Sequence, residues 1–102
     1  EMAVKESKTL SIALQNDHVQ WYRGITEPKA EIIKYEDLES LLSTINNNTE
    51  GLVVLIKPLG SSKYSNLVDV LDAFNYSNIQ RYAISDLSEF DESLELNSRS
   101  DE

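Results

Sequence analysis

The sequence predicts an α+β fold: a two-layer sandwich, β-β-(β)-α-β-α-β, with a mixed sheet carrying two helices on one face. Three observations predict it. Residues 52–56, Leu-Val-Val-Leu-Ile, are apolar at every position and bounded by Gly51 and Pro58, as in a strand covered on both faces. Two later segments repeat an apolar stripe at helical spacing, through Leu38, Leu41, Leu42 and Ile45 and through Tyr64, Leu67, Val68 and Leu71. Near the N-terminus the period is two, with Leu10, Ile12 and Leu14 on one side.

Residues 9–14 therefore form a half-buried strand, and Gln15, Asn16, Asp17 and His18 supply the turn into a second alternating run through Val19 and Trp21. A loop with Gly24 and Pro28 follows, then a short third strand at residues 31–34. The first helix spans residues 35–46. Glu36, Asp37 and Glu39 lie in its first turn, where negative charge complements the helix dipole, and Asn46 to Asn48 with Gly51 stop it. After the apolar strand, Ser61 or Ser62 is expected to cap the second helix. That helix ends at residues 75–78, and residues 79–86 form the last strand. A strand, a helix and a strand in this span make a parallel crossover.

The length of 102 residues fits one domain. Residues 1–7 are expected to be a flexible segment, 8–87 the domain, and 88–102 an acidic flexible tail. The absence of cysteine removes disulfides, thiolate metal sites and thiol nucleophiles. A net charge of −9 argues against a reader of nucleic-acid phosphates. The longest apolar run is far shorter than the roughly 20 residues a bilayer span needs. With no signal peptide visible and Glu1 at the start, the chain reads as an excised fragment or a processed protein.

No residue is assigned a catalytic, cofactor-binding or metal-binding role. His18 beside Asp17 lacks the three or four converging ligands a metal site needs. Asp69, Asp72 and Asp86 read as solvated carboxylates. Trp21 is expected in the core, with Tyr22 and Arg23 facing solvent. The loop of Lys57, Gly60, Ser61, Ser62 and Lys63 is a weak anion contact, since it joins a strand to a helix N-terminus; one glycine is too few for a phosphate-cradling loop. An enzyme acting there is disfavoured, because no nucleophile–base pair accompanies it. The last strand, with Arg81, Tyr82, Ala83, Ile84 and Ser85, or else the edge of the hairpin, is the candidate partner-binding edge. A proline at Ala83 is expected to remove a ladder donor from the last strand.

The residues Val54-Leu55-Ile56-Lys57-Pro58, Tyr64, Val68-Asp69-Val70-Leu71-Asp72, Ile79 and Arg81-Tyr82-Ala83-Ile84-Ser85-Asp86 together resemble the C-terminal half of the ExbD/TolR periplasmic domain. Leu10 to Leu14, followed by Asp17-His18-Val19-Gln20-Trp21, is similar to that family's opening hairpin, and the helix of Leu38, Leu41 and Leu42 sits where the family has its first helix. The resemblance implies a non-enzymatic accessory subunit of a proton-driven motor, set in the bacterial periplasm and anchored to the inner membrane by an N-terminal helix outside this sequence. It implies a homodimer, an ExbB-like channel subunit and a TonB-like protein as partners, and import across the outer membrane as the task. The alternative is a TolR-like domain that grips peptidoglycan, for which Lys57 and Lys63 would be the local cations. No nucleic acid and no cofactor are implied.

Overall fold

Thr9–Leu14 (β1) and Val19–Arg23 (β2) form an antiparallel hairpin, closed by the Gln15 amide donating to the His18 carbonyl at 3.0 Å. The computed structural model describes residues 8–24 and 29–99, with backbone alone described for 95–99. The segment 1–7 and the end of the chain at 100–102 lie outside the described residues, as does part of the loop after Gly24.

Glu31–Ile33 (β3) pairs antiparallel with β2. Val53–Pro58 (β4) runs parallel beside β1, and Tyr82–Ile84 (β5) runs parallel beside β4. The five-stranded sheet has the order β3-β2-β1-β4-β5. The apolar strand β4 is thus internal, as its composition requires.

Leu38–Asn47 (α1) follows a single tight turn at Tyr35–Asp37, so Glu36 and Asp37 precede the α-helix and do not sit within it. Leu38, Leu42 and Ile45 of α1 pack with Val70, Ala73 and Phe74 of Tyr64–Ser77 (α2) over Leu10, Ile12, Leu14, Val54 and Ile56. These side chains share one sheet face because alternate strand residues point the same way. The fold is α+β with a mixed sheet and α1 and α2 on one face, as the sequence predicts.

Two boundaries move. Neither Ser61 nor Ser62 caps α2. The cap residue is Lys63, whose amide donates to Asn66 Oδ1 at 2.7 Å, while Asn66 Nδ2 reaches the Asn16 carbonyl at 3.1 Å. One amide side chain therefore ties the start of α2 to the hairpin turn. The last strand is three residues long and does not span 79–86. Asn78 adopts a left-handed φ of 61°, Ile79 N–H bonds the Phe74 carbonyl, and Asn78 N–H bonds that of Asn75. This is a Schellman stop, and it assigns Ile79 to the helix end.

The segment 88–102 is not a flexible tail over its described part. Glu89–Arg99 (α3) is a helix on the second face of the sheet, where Phe90 and Leu94 pack with Ala13, Tyr22 and Leu59. The acidic run hides an apolar stripe, Leu87, Phe90 and Leu94, spaced by three and four.

Candidate functional site

The strand β5 is an edge strand, bonded to β4 on one side. Val54 N–H donates to the Arg81 carbonyl at 3.0 Å and Ser85 N–H to the Ile56 carbonyl at 2.8 Å. Backbone direction alternates along a strand, so Arg81, Ala83 and Ser85 turn their amides and carbonyls inward, and Tyr82 and Ile84 turn theirs outward. The five residues expected to form a partner-binding edge are thus brought together in two sets. Proline at Ala83 would strike the inner ladder; the outward donors belong to Tyr82 and Ile84.

The side chains of β5 are exposed, Tyr82 to 49% and Ile84 to 62%. Tyr82 lies against Phe74, with ring centroids 4.7 Å apart, which fixes it on the helix-bearing face. At the opposite end β3 is the other edge, so the hairpin itself has no free edge there: β2 is already paired. Ile32 of β3 is 66% exposed.

The loop after β4 is reordered by two findings. Lys57 does not offer its charge to the loop. Its ammonium turns to the second sheet face and pairs with Asp91 Oδ2 of α3 at 2.9 Å. Lys63 stays exposed, while Ser62 Oγ donates to the Leu59 carbonyl at 2.7 Å and Ser61 Oγ accepts from the Asn16 amide at 3.3 Å. Gly60 also has an interaction partner. Gly60 to Lys63 are consecutive, but Lys57 is not brought to them, so one of the two cations is committed elsewhere.

Asp91 is fully buried. Its Oδ1 accepts from the Tyr22 hydroxyl at 2.5 Å, and Oδ2 accepts from Lys57, from the Ser88 amide at 2.8 Å and from the Ser88 hydroxyl at 3.0 Å. Ser88 Oγ in turn accepts from the Asp91 amide at 3.2 Å. Ser88 and Asp91 therefore form a reciprocal cap at the start of α3. Lys57 Nζ also donates to Tyr22 Oη at 3.1 Å, and the Phe90 ring meets the Tyr22 ring edge-on at 5.0 Å.

Burial works against the charged form of Asp91, but the bonds from Ser88, Tyr22 and Lys57 outweigh it and hold the carboxyl below its ordinary value. Burial likewise disfavours the Lys57 ammonium, and Asp91 and Tyr22 together overcome it and raise its pKa. Burial first, then Asp91, pushes the Tyr22 phenol up. The group is a neutral phenol bridging a closed ion pair.

Tyr22 is thus buried, contrary to the expectation that it faces solvent; Trp21 is partly buried against the main core and Arg23 is exposed. Sequence reasoning missed Asp91 because six acids crowd residues 88–102. The available signal was the Ser-x-x-Asp capping pattern at 88–91 in front of Leu94.

His18 Nδ1 lies 2.7 Å from Asp17 Oδ1, which holds the Asp17 carboxyl below its ordinary range. Asp69 and Asp72 are exposed and line a groove of about 320 Å³ between α1 and α2, with Tyr35, Glu36, Glu39 and Tyr76. A second, polar cleft of about 490 Å³ lies beside the start of β5, lined by Asn46, Gly51, Asn78, Gln80 and Arg81. Among the described residues no helix is long and apolar enough to cross a membrane.

Fold and edges together define a small mixed α+β module whose sheet ends in short, exposed strands. No protein-family model matches the chain, and no curated protein matches it.

Proposed function

We propose that this chain is the periplasmic domain of an ExbD-like accessory subunit of a proton-motive-force-driven motor. In this reading it is not an enzyme. It forms a homodimer, works beside an ExbB-like channel subunit and docks a TonB-like protein for outer-membrane import. Attachment to the inner membrane is through a helix outside this sequence. Two observations support the reading. Hairpin, first helix and β4-α2-β5 unit follow one another where the resemblance sets them. The observation that carries it is the open edge of β5, which presents outward donors and acceptors at Tyr82 and Ile84 beside their exposed side chains.

The test is association at that edge. Ile84→Pro removes an outward N–H and leaves the bonds of Arg81 and Ser85 to β4 in place. Sedimentation should show a dimer for the wild type and mainly monomer for the variant, and capture of a TonB-like periplasmic domain should weaken in parallel. A monomeric wild type that captures no such partner would overturn the proposal. The TolR-like alternative draws on a different observation, the polar cleft at Arg81, Gln80 and Asn46. Muropeptide binding that is lost in Arg81→Ala, with the dimer intact, would select it.

A further inference from the structure

The chain crosses from one sheet face to the other around the β5 edge. Ser85, the residue after β5, donates to the carbonyl of Ile56. Asp91, six residues on, clasps the side chain of Lys57, the next residue of β4, on the opposite face. Between Ile84 and Glu89 the tether is Ser85, Asp86, Leu87 and Ser88, which reaches at most about 17 Å when extended. With α3 seated, β5 cannot travel far from β4.

The strand needs such a restraint. It has three residues, one neighbouring strand and no buried side chain. The helix, by contrast, is held through a small cluster of Ala13, Tyr22, Leu59 and Leu94, separate from the main core, and through one buried polar clasp. Regions with few buried apolar contacts open locally before the core does.

We infer that α3 is a strap, clasped by Asp91 on Lys57 and Tyr22, that holds β5 on the sheet edge, so that β5 and α3 leave or stay as one unit. The clasp decides whether the edge offered to a partner is β5 or the underlying β4. This goes beyond the motor-subunit reading and does not depend on which partner uses the edge.

Hydrogen exchange on the full chain, read by NMR, tests it. In Asp91→Asn, exchange at the α3 amides, at Ser85 and at Val54, whose amide bonds Arg81, should quicken at least tenfold together. Amides of the β1–β2 ladder should change by less than threefold. Leu94→Ala, which loosens the apolar end of the strap and keeps the clasp, should give the same pattern with a smaller factor. Faster exchange in α3 with Ser85 and Val54 unchanged would show that strand and helix are independent and sink the inference. A uniform acceleration across the whole sheet in both variants would also sink it, because Asp91 would then be an ordinary core contact.

Discussion

At the scale of single residues, Asp91 and Lys57 set the energetics of the second sheet face. A buried charge without its partner is costly, and removal of one member of such a pair typically destabilises by about 3–5 kcal/mol. Lys57→Ala and Asp91→Ala should each lower the unfolding free energy read from urea titration by that order. The double variant Lys57→Met with Asp91→Leu should recover most of the loss, since an apolar pair of similar volume is often neutral or better. If the double variant is as unstable as the sum of the two single ones, the pair is not acting as a closed unit. Tyr22 cannot be treated as a spectator in this cycle, because its hydroxyl bonds both partners.

At the scale of elements, α2 is placed by its ends as much as by its apolar stripe. Asn66 satisfies the Lys63 amide and reaches Asn16 across the hairpin turn. Asn66→Ala should cost about 1–2 kcal/mol, with the denaturant slope unchanged, since loss of a cap acts at that size. A loss below a few tenths would show that water replaces both bonds. The opposite end explains why the last strand covers Tyr82–Ile84 and not the whole of 79–86. Ile79 and Tyr82 suit a strand by type, yet Ile79 is the apolar residue that seals the Schellman stop, packed with the main core. Residue type is shared between the two roles. Only the left-handed turn at Asn78 separates them.

At the scale of the whole molecule, the clasp makes stability depend on pH at both extremes. A carboxyl held below its ordinary 3.8 stabilises the fold at every pH above that value and loses the contribution as pH falls toward its folded value. Tyr22 and Lys57 are raised above 10.0 and 10.5, so their contributions are complete below those values and fade above them. Urea midpoints should therefore fall below about pH 4. The fall should be smaller in the Lys57→Met/Asp91→Leu variant. Equal acid sensitivity in the two proteins would assign the effect to other carboxylates.

The residues alone determined the α+β class, the hairpin, the internal position of β4 and the presence of the two helices of the main core. Each rests on periodicity or composition within one segment, and local physics needs nothing more. They did not determine the face that α2 buries: Tyr64 and Val68 of the expected stripe are exposed, and Val70, Ala73 and Phe74 are buried instead. Tertiary structure decided that Lys57 serves α3 and not the loop beside it, that Tyr22 is buried, and that the acidic end of the chain is a helix across the second sheet face. Those outcomes depend on pairing groups 34 to 69 residues apart, and an acid in a run of acids declares its partner only once the chain has folded back upon it.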